Sequence, residues 1–330
     1  FSPRNFLEGK GFDPWWCDVA RRLIAPSPAP SSRALPGELG EEARHTTVAS
    51  LKRLLADPLR TFIRRRLGID LDTVQVEPDT EPFALQGLDR YLLEERLLAA
   101  WFEGRALSEE ALRAEGLLPH GGPGSLAFLK AKEGIEALVE GVELGEKRIL
   151  PLDVDAKDRK GRVWHLGGRL VLWGNTLFRV RPASLGGKDV LRLWIEYLLW
   201  CLAEEGEGSA CHRGKKGAFH IDRKLPGDEA ADRLAVILDL AWEVLHHPLP
   251  LPPKTAWAWA RSWHKSKDQE KACKEAGRVF ENGQHHDGEA SDPYVSLFMR
   301  DREHPPYLDE AFRTWVSEIF GPPLELGRLS

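Results

Sequence analysis

The chain has 330 residues, a mass of 37.1 kDa and a formal net charge of -5. Hydrophobic residues make up 42% and charged residues 29%, and these proportions exclude an intrinsically disordered chain. The negative charge and the pI of about 6.2 exclude the protein-wide basic field of many nucleic-acid-binding proteins, but they leave local basic patches open. A chain of this length predicts about two domains or one large one.

The composition changes along the chain and predicts three parts. Residues 1–40 form an N-terminal segment that ends in a linker rich in proline and serine. Residues 41–145 show helical spacing of apolar side chains, and residues 146–330 combine strands with C-terminal helices. The expected fold class is therefore α+β or α/β with an extensive helical part. Because the chain starts at Phe1 and its only methionine is Met299, we expect a piece of a longer protein.

The cysteines and the apolar stretches bear on the cell compartment. Zinc ligands usually come in closely spaced pairs, and no C-x-x-C pair occurs, so we expect four reduced thiols. No stretch approaches 18 uninterrupted apolar residues, so we expect no membrane contact. No phosphate-binding loop or nucleophile-elbow motif is present, so we expect no cofactor. These patterns predict a cytoplasmic protein. The cysteines are Cys17, Cys201, Cys211 and Cys273.

Helical signals dominate the second part. Pro58 is predicted to start a short helix that Gly68 ends, because proline suits a first helical turn and glycine suits a C-terminal cap. The range Gly87–Glu103 predicts the longest amphipathic helix of this part. Ser108 is a suitable N-cap for a short helix. After the loop LLPHGGPG, a further helix is predicted over Leu126–Val142.

The apolar pattern changes to alternation after residue 145 and predicts a β-meander. Gly167-Gly168 is predicted to separate two strands. Gly174-Asn175 predicts a tight hairpin, because both residues tolerate positive φ. A strongly apolar helix is predicted over Lys188–Ala203, and another over Asp228–Leu245. The predicted strands are Ile149–Val154, Val163–Leu166, Arg169–Trp173 and Thr176–Arg181, with short ones around Ala210 and over Ala218–Ile221.

The hairpin followed by a long helix has the outline of a restriction-endonuclease-like core. Active cores of this class place an Asp on one strand, and an acidic residue and a Lys two apart on the next, to hold Mg²⁺ and orient water. No Asp or Glu stands between Gly167 and Pro182, and Arg179 and Arg181 occupy the expected positions. Two guanidinium groups repel Mg²⁺. The sequence therefore predicts a nuclease-like core with its catalytic residues lost.

Basic side chains along this core are candidates for binding. Arg169, Arg179, Arg181 and Lys188 are predicted to contact DNA phosphates or the carboxylates of a partner, since arginine binds both in a bidentate manner. The alternative is an exposed strand face with cross-strand salt bridges.

A second basic cluster lies on the helix predicted after Pro58. Arg64, Arg65 and Arg66 follow Arg60 there, and such a cluster can neutralise phosphates. The alternative is a solvated helix face, because runs of like charge usually have no other role.

Two further groups carry metal-ligand side chains. One contains Asp153, Asp155 and Asp158, and the other is His285-His286 with Asp287. Spacing alone is weak support for a metal site. We interpret both groups as solvated and predict no metal.

A series of segments, taken in order, forms a familiar combination. They are SPRNF, LADPLRTFIRRRLGI, EPFALQGLDRYLLEERLL, LLPHGGPG, GGRLVLWGNTLFRVRP, WIEYLLW, PLPLPPKTAWAWA, SDPYVSLFMRD and IFGPPL. Together they resemble the C-terminal part of the RecC family, the gamma subunit of exodeoxyribonuclease V (the RecBCD helicase-nuclease). The resemblance extends over nearly the whole chain.

The resemblance implies a nuclease-like fold that has lost catalysis, with ATP hydrolysis and cutting in partner subunits. It implies RecB-like and RecD-like partners and contact with single strands of an unwound duplex. The implied role is double-strand break repair and recombination, through subunit assembly and guidance of DNA strands. It assigns no catalytic residue and no metal to this chain.

Two other hypotheses stay open on sequence alone. One is an active Mg²⁺-dependent nuclease whose acidic residues come from elsewhere in the chain. The other is an assembly domain that never touches DNA. The nuclease hypothesis requires acidic side chains that converge on Arg179 and Arg181.

Overall fold

Strands within the described part of the chain form one mixed, seven-stranded sheet. The computed structural model describes residues 39–72, 84–85, 87–204, 208–283, 287–300 and 302–330, with Trp15 and Gly37. The segment and linker predicted over 1–40 lie almost wholly outside these residues. The strands are β1 (His45–Thr47), β2 (Lys147–Lys157), β3 (Val163–Trp173), β4 (Thr176–Val180), β5 (Ser209–Arg213), β6 (Ala218–Ile221) and β7 (Arg328–Leu329).

Helices surround this sheet and make up most of the described chain. They are α1 (Val48–Ala56), α2 (Pro58–Leu67), α3 (Gly87–Phe102), α4 (Glu109–Ala114), α5 (Gly121–Val139), α6 (Gly187–Glu204), α7 (Gly227–His246), α8 (Pro253–Ser266), α9 (Gln269–Phe280), α10 (Pro293–Met299) and α11 (Glu310–Leu326). No helix of the described ranges is both long and apolar enough to cross a membrane.

Strand β3 organises the sheet. Along one edge it pairs antiparallel with β2 through all eleven residues. Its other edge is shared, because β1 pairs in parallel at His165–Gly167 and β4 pairs at Trp173. The predicted break at Gly167-Gly168 is wrong: the strand continues, since Gly168 adopts a φ of +148° that other residues rarely reach.

The hairpin between β3 and β4 is confirmed. Trp173 pairs with Thr176 across the two-residue turn, and Gly174 takes a φ of +57°. The predicted extension of the next strand to Arg181 is wrong, because β4 ends at Val180. Pro182 has no amide hydrogen with which to continue the ladder.

Helix α6 crosses from β4 to β5, which lie parallel in register from Thr176↔Ser209 to Val180↔Arg213. The parallel pairing requires a crossover connection, and α6 supplies it. Thirteen residues of α6 are buried, so this helix is the centre of the main core. The position of α6 behind β4 brings its polar side chains under the strand that carries Arg179.

Capping residues explain the helix ends in the helical part. Asp57 accepts a hydrogen bond from the amide of Arg60, and Gly68 ends α2 with a φ of +66°, as predicted. Ser108 caps α4, also as predicted. Helix α5 begins at Gly121 rather than at Leu126, because a proline in the first turn loses no helical hydrogen bond.

The buried side chains form two clusters within the unit 39–330. The main cluster joins α1, α2, the sheet and α6 to α11. The second cluster joins α3, α4 and α5. The composition boundary at residue 145 stays a prediction, and α1 and α2 pack with the elements that follow it.

Candidate functional site: paired carboxylates on α6 and a basic groove

Arg179 is held by a buried carboxylate of α6. Its Nε donates to Oε2 of Glu196 at 2.8 Å, and the Glu196 side chain is 6% exposed. Lys52 of α1 contacts the other carboxylate oxygen. The Nη1 of Arg179 donates to the carbonyls of Val171 and Phe178 at 2.9 and 2.8 Å. The Nε and Nη1 donors of Arg179 are therefore used in hydrogen bonds within the protein.

Arg181 pairs with a second buried carboxylate of α6, that of Asp189. Its Nη1 donates to Oδ1 of Asp189 at 2.8 Å, and the amide of Gly186 donates to Oδ2 at 2.9 Å. Asp189 lies in the first turn of α6, where a carboxylate is favoured by the helix dipole, and it is buried. The ring of Tyr91 lies 5.9 Å from the guanidinium of Arg181.

The geometry follows from two periodicities. Arg179 lies in β4 and Arg181 follows its end, and at a spacing of two residues an extended backbone directs both side chains to the same side. Asp189 and Glu196 are seven residues apart and lie on one face of α6, two turns from each other. Acidic side chains from elsewhere therefore do converge on the two arginines, as salt-bridge partners.

His212 of β5 lies beside this charged group. Its Nε2 is 4.0 Å from Oδ1 of Asp189, and the residue is 7% exposed. Neither ring nitrogen has a hydrogen-bond partner within the described ranges. Burial lowers the pKa of His212 to about 4, and the nearby arginines oppose its protonation as well. The ring is therefore neutral at pH 7.

The arrangement does not fit Mg²⁺. That ion prefers unpaired carboxylate oxygens with room for water ligands. Glu196 is already contacted by Arg179 and Lys52, and Asp189 by Arg181. In the described part of the chain, no three His, Cys, Asp or Glu side chains form a group that could hold a metal.

The acidic residues upstream of the hairpin form no metal-binding group within the described residues. Asp158 is buried in a turn, where the Nε of Arg162 donates to it at 2.6 Å. Burial opposes its ionisation, but hydrogen bonds from Trp164 and Arg162 prevail and lower its pKa. Asp155 pairs with His165 at 2.5 Å, whereas Asp153 is exposed. The pair His285-His286 lies outside the described residues.

Two arginines of the cluster on α2, Arg60 and Arg64, form ion pairs with carboxylates of the same chain. Arg64 contacts Asp70 at 2.8 Å, Asp72 at 2.5 Å and the hydroxyl of Tyr294 at 3.0 Å. The hydrogen bond from Arg64 lowers the pKa of Asp70 to about 2. Arg60 pairs with Asp292 in the same way.

The other predicted contact residues are scattered. Arg65 is exposed at the rim of a shallow pocket, and Arg66 is half-buried. Arg169 is exposed on β3. Lys188 lies in the first turn of α6, with its Nζ 3.5 Å from Asp57. The structure thus places Arg181 and Lys188 at the start of α6, with Arg179 two turns along this helix, and leaves the rest apart. The proposed contacts of these residues stay predictions.

Arg181 and Lys188 also border a basic groove that the sequence interpretation missed. The groove has a volume of about 1360 Å³ and lies between the start of α6 and the helical hairpin α8–α9. Eight Lys or Arg residues line it, against two carboxylates. The signal was present as helical spacing of cations among tryptophans. The basic residues missed are Lys254, Arg261, Lys265, Lys271, Lys274 and Arg278.

The tryptophans of this region serve the core. Trp257 and Trp259 are buried, and Trp259 stacks on Trp263 with a centroid distance of 5.6 Å. Trp257 and Trp259 therefore act as core anchors rather than as base-stacking platforms.

Comparison with known proteins decides the family. The sequence model of the RecC C-terminal domain matches residues 43–264, which is more than half of the chain. The chain belongs to the RecC C-terminal domain family. Helix α9, with Lys271 and Lys274, lies beyond the matched range.

The curated relatives that this RecC-family chain matches include proteins named RecBCD enzyme subunit RecC. The RecBCD enzyme subunit RecC of Mycobacterium tuberculosis (strain CDC 1551 / Oshkosh) is 30% identical over 294 residues, covering 81% of this chain and 26% of that protein. The subunit RecC of Escherichia coli (strain K12) is 25% identical over 273 residues, covering 81% and 24%. The chain therefore spans about a quarter of the length of these relatives.

Proposed function

We propose that the chain is a non-catalytic domain of a RecC-like subunit in a RecBCD-type helicase-nuclease. In this role it assembles with RecB-like and RecD-like subunits and guides the single strands of an unwound duplex during double-strand break repair. The family and the names of the relatives support this proposal.

The observation that carries the non-catalytic part is the pairing of both α6 carboxylates. A catalytic metal would have to displace Arg179 and Lys52 from Glu196, and Arg181 from Asp189. Each displacement would leave a cation without its partner, and the freed guanidinium groups would repel the metal. The arginines thus take the place that a divalent cation holds in an active nuclease.

The proposal extends to the fold. The order β2–β3–β4, the helix α6 and the parallel strand β5 is the frame expected of a restriction-endonuclease-like core. We propose that this core descends from an active nuclease and that salt bridges replaced its metal site.

A cleavage assay tests the non-catalytic part. The chain is incubated with single-stranded and duplex DNA in the presence of Mg²⁺ or Mn²⁺, and we expect no cutting. Cutting that disappears in Glu196→Gln or Asp189→Asn, but persists in the exposed control Glu133→Gln, would show that the site is an active nuclease. The same comparison with Asp153→Ala and Asp155→Ala covers the acids upstream of the hairpin.

A binding assay tests the assembly part separately. RecB-like and RecD-like subunits encoded by the same genome are mixed with the chain and separated by analytical ultracentrifugation. We expect a stable complex with at least one of them. Free chain at micromolar concentration, in the presence of both, contradicts the assembly role and leaves the non-catalytic assignment untouched.

A further inference from the structure

The basic groove contrasts with the charge of the whole chain. The protein carries a net charge of -5, whereas the groove lining carries eight Lys or Arg residues against Asp189 and Glu275. Low-dielectric walls around charges of one sign focus the field inside a groove. The groove is therefore a site of strong positive potential on an otherwise acidic protein.

Some of the cations in the groove have protein partners, and others do not. Lys271 pairs with Asp268 at 3.2 Å, Arg278 with Glu275 at 2.5 Å, and Lys188 with Asp57. Within the described residues, no carboxylate forms an ion pair with the exposed side chains of Arg261, Lys265 or Lys274. Lys254 is exposed as well; its backbone amide donates to Glu289 at 2.9 Å, and its positive charge also favours the ionised form of Glu289. Four exposed cations thus line one groove and form no ion pair with any carboxylate in the part of the chain that the structure describes.

Their arrangement along α8 matches a linear polyanion. Lys254, Arg261 and Lys265 occupy positions i, i+7 and i+11, which lie on one helix face. At 1.5 Å per residue they are about 10 Å and about 6 Å apart along the axis. In B-form DNA the phosphates of one strand rise about 3.4 Å per step along the helix axis, so cations at these separations span several phosphates of one strand. Lys274 on α9 adds a cation from the other wall.

The chemistry of the lining favours a phosphate backbone over an acidic protein segment. The cores of protein–protein interfaces are depleted in lysine and enriched in aromatic residues. Among the described residues of the lining, three of the four cations that lack an ion-pair partner are lysines, and the aromatic side chains are the buried Trp257 and the exposed His264. Lysine binds phosphate as a point charge. The volume of about 1360 Å³ also exceeds that of pockets for single small ligands, which is about 300–1,000 Å³.

We propose that the groove between α8, α9 and the start of α6 binds the phosphodiester backbone of single-stranded DNA. Lys254, Arg261, Lys265 and Lys274 are the contacts, and Lys188 lies at the α6 side. The inference rests on the strand-guiding part of the proposed function and gives it a location. Because the four cations contact phosphates rather than base edges, binding is independent of sequence.

Fluorescence anisotropy with fluorescein-labelled (dT)12 and (dA)12 tests the groove. The triple variant Arg261→Gln, Lys265→Gln, Lys274→Gln removes three cations from exposed helix positions, so the fold is retained and is checked by circular dichroism. At low salt we expect binding to weaken roughly tenfold or more. The slope of log K against log salt becomes shallower by about 2, since each phosphate contact on a single strand contributes about 0.7.

Two matched variants control for charge. Lys130→Gln, Lys157→Gln, Lys216→Gln removes three exposed cations outside the groove, and we expect affinity and salt slope to stay at the wild-type values. Arg261→Lys, Lys265→Arg, Lys274→Arg keeps the charge of the groove, and we expect binding within about threefold of wild type.

The outcomes separate the groove from the proposed function. If the groove variant and the control variant bind (dT)12 equally well, the groove is not the site, but strand binding elsewhere on the chain stands. If the wild-type chain does not bind either oligonucleotide, both the groove and the strand-guiding role are wrong. If polyglutamate displaces (dT)12 at an equal concentration of charges, the groove is a seat for an acidic protein segment. A preference for one base composition contradicts binding through the backbone.

Discussion

At the scale of single residues, His212 is unusual because it is a buried ionisable group without a hydrogen-bond partner in the described part of the chain. Asp189 and Glu196 favour its protonation, whereas Arg179 and Arg181 oppose it, and burial lowers its pKa most of all. The neutral ring acts as a spacer within a charged network. Its protonation would add a positive charge where two guanidinium groups already lie.

We predict that His212 makes folding sensitive to pH. The unfolded chain binds a proton at this residue below about pH 6.5, while the folded chain does so only near pH 4. Stability is therefore complete above pH 6.5 and falls as the pH drops through this window, by about 3 kcal/mol. His212→Leu removes the titrating ring, so the variant should lack this part of the loss of stability between pH 6.5 and pH 4. Chemical denaturation at pH 7 and pH 4 measures it, and equal losses in wild type and variant would contradict the prediction.

The carboxylate of Glu196 is a second residue whose loss has a defined effect. Glu196→Gln leaves Arg179 and Lys52 facing a neutral amide in a largely buried position, so we expect the free energy of unfolding to fall by about 3 kcal/mol. Glu204→Gln is the matched control on the same helix. Its pair with Arg148 is exposed, so less than about 1 kcal/mol is expected. Equal losses in the two variants, measured in urea, would rule out a special role for Glu196.

The sequence identified the two arginines of this site but not their partners. Arg179 and Arg181 stood out because they occupy positions where a nuclease needs an acid and a lysine. Asp189 and Glu196 lie on a helix, where acidic residues are common and usually exposed, so only the packing of α6 against β4 shows their role. A salt bridge between a strand and the following helix leaves no pattern in the sequence.

At the scale of elements, the end of α2 is fastened to α10 through Tyr294. Its hydroxyl accepts hydrogen bonds from Arg64 and from the amide of Leu71, and it donates to Asp70. The residue is buried, and the guanidinium of Arg60 lies 4.7 Å from its ring. The arginine-rich stretch therefore joins two elements that are far apart in sequence.

We predict that Tyr294→Phe lowers the free energy of unfolding by about 1–3 kcal/mol. The change removes one hydroxyl and leaves the amide of Leu71 and the guanidinium of Arg64 without that partner. Tyr91→Phe is the comparison, because that hydroxyl lies nearer the surface between Glu95 and Arg181, and a smaller change, below about 1 kcal/mol, is expected. Thermal or urea denaturation compares the two. A loss of affinity for DNA without a loss of stability would contradict the structural role of this network.

Local signals predicted element boundaries where a single residue decides them. Pro58, Gly68 and Ser108 act through their own backbone or side chain, so their effects were readable. The prediction at Gly167-Gly168 is wrong because glycine permits both a break and a continuation of a strand. The pairing of β3 with β2 along its whole length favours the continuation, and that pairing is a long-range effect.

At the scale of the whole molecule, the unit 39–330 contains a large core and a smaller helical cluster beside it. Alternation and helical periodicity predicted the mixture of strands and helices. They did not predict that β1 inserts beside β3, because a three-residue strand carries too little pattern. Nor did they predict that α1 and α2 pack into the main core, because apolar periodicity shows that one face of a helix is buried but not which element covers it.

The two clusters are joined by a few specific contacts. Lys215 lies before β6, and its Nζ contacts both carboxylate oxygens of Glu94 on α3 at 2.6 Å. Phe102, at the end of α3, stacks on Trp173 with a centroid distance of 5.4 Å. The Glu94 side chain is 6% exposed, so its charge depends on this partner. Nine buried apolar residues hold the second cluster together, and we expect it to open more readily than the main core.

We therefore predict that Lys215→Gln destabilises α3–α5 selectively. Among the described residues, Glu94 would then keep the more distant Arg90, at 3.9 Å, as its ion-pair partner. Native-state hydrogen exchange should show the opening free energy of α3 and α5 amides falling by about 1–3 kcal/mol, while the most protected amides of α6 fall by less. Lys216→Gln removes a neighbouring exposed charge and should change neither set. A uniform loss of protection across both clusters would mean that the unit 39–330 opens as one cooperative body.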